Sequence, residues 1–213
     1  MHPAVALGLA YLAGSIPFAY LAGRLLKGID LRTVGSGNLG ATNVFRTLGA
    51  EAAAVVLLLD ALKGALPVAL LPGLLAPRFT AGGPDHALWW ALACGVAAIA
   101  GHAKPVFLLW KGGGKGVATA AGVFGAIAPA ALGVALTVFA AVVWRSKIVS
   151  LASISAAVIL PLAVAFTLGA GSPVFAVACA IGLFVVWSHR ANIQRLRAGT
   201  EPRLARRKPE GTP

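Results

Sequence analysis

Long apolar runs dominate this chain and leave it few ways to fold. Four polar stretches, at 24–50, 76–86, 104–115 and 190–213, interrupt sequence that is otherwise apolar. A membrane-spanning helix needs about 20 mostly apolar residues, so the apolar remainder is long enough for about seven such helices. The sequence therefore predicts an all-α integral membrane protein with seven transmembrane helices, at 3–23, 51–75, 87–103, 116–128, 130–144, 148–169 and 173–188.

The charges predict how these helices are oriented. The chain carries 18 Lys and Arg against 6 Asp and Glu, and 16 of the 18 cations fall in the first, third and fifth connections and in the C-terminal stretch. Because loops rich in Lys and Arg stay cytoplasmic, we expect the N-terminus outside and the C-terminus in the cytoplasm. We expect residues 1–189 to form one seven-span membrane domain and residues 190–213 to form a basic cytoplasmic tail on anionic lipid. A nucleic-acid partner is excluded, since its binder needs a polar body.

The first connection contains a glycine-rich polar segment. Its glycines allow close backbone approach to a ligand, and its hydroxyls and amides can bind one; the residues concerned are Gly35, Ser36, Gly37, Asn38, Gly40, Thr42 and Asn43. We expect Thr42 or Asn43 to cap a short helix that runs to Leu48 and ends at Gly49, so that a phosphate meets free N–H groups. Arg46, about one turn into this helix, would then hold the anion. The alternative is a flexible polar loop at the membrane surface.

The third connection has a similar character. Gly112, Gly113 and Gly114 lie between Lys111 and Lys115, and a mobile backbone flanked by two ammonium groups suits phosphate oxygens. The segment lacks the spacing of a Walker A loop, so a basic turn is the alternative. Two such loops on one side of the membrane favour a shared phosphate site.

Several polar residues recur three apart within or beside the predicted helices. Asp60 and Lys63 are expected to be a structural ion pair that supports the loops, because ionisable groups inside a membrane need partners. The same spacing joins Ser150 with Ser153 and His189 with Asn192. The two serines fit helix packing or ligand binding equally well, and His189 fits a base, a donor or an interfacial residue. His102 fits a structural histidine.

Missing motifs exclude several kinds of enzyme. No two acids lie within five residues of each other, so no acidic cluster is available for Mg²⁺, and the 4 histidines are too dispersed for zinc. No metal site is therefore predicted. The sequence also lacks G-x-S-x-G and a His followed five residues later by Asp, which excludes a nucleophile elbow and the motif of acyl-CoA-type glycerolipid acyltransferases.

These motifs together resemble a known family, the bacterial acyl-phosphate:glycerol-3-phosphate acyltransferases of the PlsY type. The resemblance rests on segments that occur in order along nearly the whole chain: Gly14-Ser-Ile-Pro17, Leu31-Arg-Thr-Val-Gly-Ser-Gly-Asn-Leu-Gly-Ala-Thr-Asn-Val44, Asp60-Ala-Leu-Lys-Gly64, Gly101-His102, Pro105-Val-Phe107, Lys115-Gly-Val-Ala-Thr119, Ser150-Leu-Ala-Ser153, His189 and Asn192. The family's loop has two glycines between its lysines, whereas this chain has three, so we align the loop on Lys115.

The resemblance implies a reaction, a location and a set of partners. It implies acyl transfer from acyl phosphate to glycerol 3-phosphate, which gives lysophosphatidic acid and inorganic phosphate in phospholipid biosynthesis. No cofactor is implied, because the mixed anhydride is already activated and positioning with charge stabilisation can supply much of the catalysis. The expected partners are the two substrates and membrane lipid, with no protein partner required. The expected location is the bacterial plasma (inner) membrane, with the active site facing the cytoplasm.

Individual residues of the predicted site are expected to take the following roles. We assign the phosphate cradle to Ser36, Gly37, Asn38, Gly40, Thr42 and Asn43, with Ser153 as a further substrate contact. The groups expected to bind glycerol 3-phosphate or to bridge the two phosphates are Arg46, Lys115, Ser150, His189 and Asn192. The acyl phosphate's own phosphate is expected to accept the proton of the attacking hydroxyl, with His189 as the alternative base. A transporter or scramblase of an anionic lipid or phosphate metabolite is the alternative function, and a lipid-binding scaffold is the third.

Overall fold

The structure, a computed structural model, describes residues 1–81 and 83–204. All regular structure within these residues is helical, as the sequence predicts. The helices are α1 (Pro3–Ser15), α2 (Phe18–Lys27), α3 (Ala41–Leu48), α4 (Ala50–Leu70), α5 (Pro77–Thr80), α6 (Pro84–Ala103), α7 (Val117–Ile127), α8 (Pro129–Ser146), α9 (Val149–Leu168), α10 (Pro173–Ser188) and α11 (Arg190–Arg197). Residues 205–213 of the predicted basic tail lie outside the described residues.

Several helices are long and apolar enough to cross a membrane. Within the described residues there are five such segments: Pro3–Lys27, Ala50–Leu74, Asp85–Leu108, Pro129–Ser146 and Val149–Leu168. A sixth arises if α10 and α11, which meet at a bend of 57°, form one span. Helix α7, at the position of the fourth predicted span, has only 11 residues, which corresponds to about 16 Å at about 1.5 Å per residue.

Prolines set the helix boundaries. Pro3, Pro84, Pro129 and Pro173 each lie in the first turn of a helix, where the missing N–H costs nothing. Pro17 has the opposite effect, because it disfavours helical geometry at the preceding residue. The first predicted span is therefore interrupted: α1 ends before Pro17, and α2 extends beyond the predicted boundary to Lys27.

Small residues bring the helices close together at the centre of the bundle. A Cβ atom at Gly122 of α7 would lie 1.8 Å from the carbonyl oxygen of Ala61 on α4, so only glycine permits this approach. Gly64 faces the backbone of Thr119 in the same way. Large apolar side chains point outward instead, as in Phe166, which is 93% exposed. An outward apolar surface of this kind is what lipid requires.

Candidate active site

A cavity of about 570 Å³ joins the glycine-rich connections to the ends of α9, α10 and α11. Of the fourteen residues expected to form the site or its supporting ion pair, twelve line it: Ser36, Asn38, Gly40, Thr42, Asn43, Arg46, Asp60, Lys115, Ser150, Ser153, His189 and Asn192. Gly37 and Lys63 do not. Segments more than 150 residues apart in the chain therefore contribute to one site.

Asn43 shapes the first connection from within. Its side chain is 1% exposed; Nδ2 donates to the carbonyl oxygens of Leu31 and Val34 at 3.1 and 3.0 Å, and Oδ1 accepts from the N–H of Ser36 at 3.0 Å. Gly35 must be glycine here, because its φ is +65° and a Cβ would lie 2.3 Å from Asn43 Oδ1. Since all the polar atoms of the Asn43 side chain are engaged in the loop, Asn43 holds the cradle in shape.

Helix α3 ends as the sequence predicts but begins differently. It runs to Leu48 with Gly49 as its C-cap, whereas its N-cap is Gly40, with no side-chain capping bond. The expectation that Thr42 or Asn43 caps it was wrong, because the Asn43 amide is committed to the loop and Thr42 already lies inside the helix. Arg46 lies on this helix, and its Nη2 donates to the carbonyl oxygen of Pro202 at 3.2 Å.

The two glycine-rich connections contact one another. The N–H of Leu39 donates to the carbonyl oxygen of Gly113 at 3.2 Å, and Arg32 donates from Nη1 to that of Lys111 at 3.3 Å. Arg32 is itself held by Asp30, with Nη2 at 2.6 Å from Oδ2. The hydrogen bond from Arg32 holds the pKa of Asp30 down at about 2, so this clamp stays charged at neutral pH. Lys115 lines the cavity, whereas Lys111 is exposed.

His189 sits where α10 bends into α11. It is 3% exposed, and Nδ1 lies 2.8 Å from the carbonyl oxygen of Val185. A carbonyl only accepts, so Nδ1 carries the proton and Nε2 is an acceptor. The pKa of His189 is lowered to about 4, mainly by burial and in smaller part by the nearby Lys115, against the opposing effects of the hydrogen bond to Val185 and of Glu201. His189 is therefore neutral at physiological pH.

A chain of short hydrogen bonds connects Lys115 with Arg195 across the cavity wall. Lys115 donates from Nζ to Oδ1 of Asn192 at 2.5 Å, and Asn192 donates from Nδ2 to Oε1 of Glu201 at 2.5 Å. Ser150 donates to the same carboxylate oxygen at 2.6 Å, and Arg195 donates to Oε2 at 2.6 Å. One carboxylate thus gathers donors from α9 and α11.

Burial and hydrogen bonding set the protonation states of Glu201 and Lys115. Burial alone would raise the pKa of Glu201, but the hydrogen bonds from Ser150, Asn192 and Arg195 outweigh it, and the pKa is lowered. Burial lowers the pKa of Lys115 to about 8, partly offset by attraction to Glu201. At neutral pH the cavity therefore holds a charged carboxylate, mostly protonated Lys115, and the guanidinium groups of Arg46 and Arg195.

The sequence reasoning missed Glu201 and Arg195. Both lie in the stretch interpreted as a basic tail, and there Arg195 is one of several arginines. A usable signal was present, since Glu201 follows three arginines and is the only acid in residues 190–204. Buried ionisable groups near a cleft are candidates for function.

Comparison with known proteins gives matches to one family. The model of the family described as "Glycerol-3-phosphate acyltransferase" matches residues 4–199. Relatives of that name include one from Synechococcus sp. (strain CC9902), 52% identical over 93% of both chains, and one from Anaeromyxobacter dehalogenans (strain 2CP-C), 44% identical over 94% of this chain and 96% of the relative.

Solved structures agree as well. The fold is similar to the crystal structure of PlsY (YgiH), an integral membrane glycerol 3-phosphate acyltransferase, in its glycerol 3-phosphate form, with a TM-score of 0.82 and 40% identity over 95% of this chain and 96% of that one. It is also similar to the lysophosphatidic acid form, with a TM-score of 0.79 and 38% identity over 95% of both chains. With the family model covering most of its length, this chain belongs to the glycerol-3-phosphate acyltransferase family.

Proposed function

We propose that this protein transfers a fatty acyl group from acyl phosphate to glycerol 3-phosphate, releasing lysophosphatidic acid and inorganic phosphate. The observation that carries this is one cavity in which two glycine-rich connections meet Arg46, Lys115 and Arg195. Both substrates bear phosphate, and both can be held by backbone amides and cations within the same space. The related PlsY structures, solved with glycerol 3-phosphate and lysophosphatidic acid, support the acceptor and the product.

The cavity also has an apolar side, which suits the acyl chain. Leu57, Phe139 and Val149 line it together with the polar groups, and Leu57 is 52% exposed on the outer face of α4. An alkyl chain can therefore lie toward the bilayer while its phosphoryl end reaches the cations. This arrangement gives the donor an orientation that places its carbonyl carbon near the acceptor.

The chemical step needs few groups from the protein. A hydroxyl oxygen of glycerol 3-phosphate attacks the carbonyl carbon of acyl phosphate, the bond from that carbon to the phosphate oxygen breaks, and phosphate leaves. The hydroxyl proton passes to a phosphate oxygen of the donor. Lys115 and Arg46 stabilise the negative charge on the departing phosphate.

His189 contributes by accepting a hydrogen bond through Nε2 from the attacking hydroxyl. A general base works best with a pKa near the operating pH. The pKa of His189 is lowered to about 4 by burial, which makes it a weak base and supports proton transfer to the donor phosphate instead.

The remaining residues divide into cradle and support. Backbone and hydroxyl groups of the first connection that line the cavity hold one phosphate, namely those of Ser36, Asn38, Gly40 and Thr42, while Asn43 keeps the cradle in shape. Ser150, Ser153 and Asn192 complete the opposite wall, and Asn192 also orients Lys115.

In the membrane, we propose seven crossings for residues 1–189, with the N-terminus outside and the cavity facing the cytoplasm of a bacterial inner membrane. The positive-inside distribution of Lys and Arg supports this orientation. Helix α7 would be a short crossing, and residues 190–213 would follow the last span on the cytoplasmic side. Supplying the lipid-reconstituted protein with acyl phosphate and glycerol 3-phosphate, and measuring both products, tests the activity.

A further inference from the structure

A buried polar cluster lies directly beneath the third connection. Asp60, Lys63 and His102 are 1%, 6% and 6% exposed, and they come from α4 and α6. Two charged groups enclosed in a helix bundle are costly unless their partners are well placed. Such a cluster is therefore a candidate for a role beyond packing.

One end of the cluster holds the interruption of the first span. Nζ of Lys63 lies 2.7 Å from Oδ1 of Asp60 and donates to the carbonyl oxygen of Ile16 at 2.8 Å. Ile16 is the residue at which α1 ends, just before Pro17. Lys63 thus ties α4 to the point where the chain turns toward the first connection.

The other end of the cluster supports the loop that carries Lys115. Nδ1 of His102 lies 3.6 Å from Oδ1 of Asp60, a close polar contact. The far edge of the ring lies against Gly114, where a Cβ would come within 1.9 Å of Nε2, and the N–H of Gly114 donates to the carbonyl oxygen of His102 at 3.1 Å. Lys115 is the next residue along the chain.

Asp60 and His102 face two spaces, because both line the large cavity and both also line a second, small one. The space enclosed by Ser15, Asp60, Lys63 and His102, among others, is about 10 Å³. A volume of that size holds about one water molecule. On the side of this small space the His102 ring contacts Asp60 through Nδ1 and has little room to move, and Gly114 rests against the far edge of the ring.

We propose that His102, held in orientation by Asp60, is a positioning residue for Lys115. It supports the loop at Gly114 so that the ammonium group projects into the cavity, and it acts through the loop rather than on substrate. The inference rests on the proposed function, because it assigns Lys115 to phosphate binding.

Amide hydrogen exchange of residues 112–116 in the full-length protein, combined with steady-state kinetics, tests the proposal. His102→Ala removes the support, so exchange in the loop should rise about tenfold or more. Because Lys115 both binds phosphate and stabilises the departing phosphate, kcat/KM for glycerol 3-phosphate should fall about tenfold. His102→Gln, which fills the space beneath Gly114, should restore most of both values. Trp90→Phe, at the opposite end of α6, is the matched control and should leave both unchanged.

The double variant Asp60→Asn with Lys63→Met removes both charges of the pair together, and it should also speed exchange in the loop. It replaces His102→Ala if that variant does not fold. Wild-type exchange and wild-type kcat/KM in the folded variants would overturn the proposal, as would a loss of kcat/KM with no change in loop exchange. If loop exchange rises as expected but the wild-type protein transfers no acyl group, only the proposed function fails.

Discussion

Lys115 and Asn192 are joined by a hydrogen bond of 2.5 Å from Nζ to Oδ1, which links the third connection to helix α11. Asn192 in turn donates to Glu201, so its amide is held with the oxygen toward Lys115. The position of the ammonium group is therefore set by residues 77 and 86 positions further along the chain.

The first prediction concerns pH. Burial lowers the pKa of Lys115 to about 8, so the free protein loses this cation as the pH rises through that value. Because kcat/KM reports the free enzyme, kcat/KM for glycerol 3-phosphate should fall above about pH 8. In Lys115→Arg the guanidinium stays charged, and the fall should disappear between about pH 6 and about pH 10. Lys111→Arg, on the exposed side of the loop, is the control; a fall retained in Lys115→Arg would assign it to another group.

The second prediction separates two sources of proton transfer. His189→Gln keeps a hydrogen-bonding side chain but removes the base, and we expect kcat at saturating substrates to stay within about tenfold of wild type. The reason is that His189, with a pKa lowered to about 4, is a poor base in the native protein. His86→Gln, at the start of α6, is the control. A loss in kcat of about a hundredfold or more, the range of a true general base, would make His189 the base.

The third prediction concerns Glu201, whose carboxylate gathers three donors. Glu201→Gln replaces an oxygen with an N–H₂ group that faces donors, so Asn192 loses its fixed orientation. Hydrogen bonds to charged groups contribute about 1.5–3 kcal/mol, and kcat/KM should fall about tenfold to a hundredfold. Thr200→Val is the control, because that hydroxyl reaches only the carbonyl oxygen of Arg195, at 3.4 Å. An increase in activity would show instead that the carboxylate competes with phosphate.

The fold was largely predictable from the sequence, and the site less so. Apolar runs predict membrane helices and charged runs predict the connections between them, because residue types differ between segments in lipid and segments in water. The pattern predicted a short fourth helix at 116–128, close to the observed α7, but it could not show that Pro17 divides the first span, since that depends on local geometry. The loop residues were found by their chemistry, whereas Glu201 was missed because its significance appears only when α11 folds back onto Ser150.

The fourth prediction concerns the close approach of α4 and α7. Gly122→Ala places a Cβ 1.8 Å from the carbonyl oxygen of Ala61, which forces the helices apart and should destabilise the protein by about 1–3 kcal/mol. Gly133→Ala on α8 meets nothing within 4 Å and serves as the control. Thermal unfolding in detergent should show a lower Tm for Gly122→Ala only. Equal Tm values for the two variants would contradict the packing described here.

The most direct test of the account is acyl transfer by the purified protein reconstituted in lipid. Supplied with acyl phosphate and glycerol 3-phosphate, it should form lysophosphatidic acid and inorganic phosphate in equal amounts, and Lys115→Ala should abolish most of this. Acyl-CoA and acyl carrier protein thioesters, offered in place of acyl phosphate, should give no product. Product from a thioester but none from acyl phosphate would contradict the proposed donor, and no product from any donor would contradict the assigned reaction.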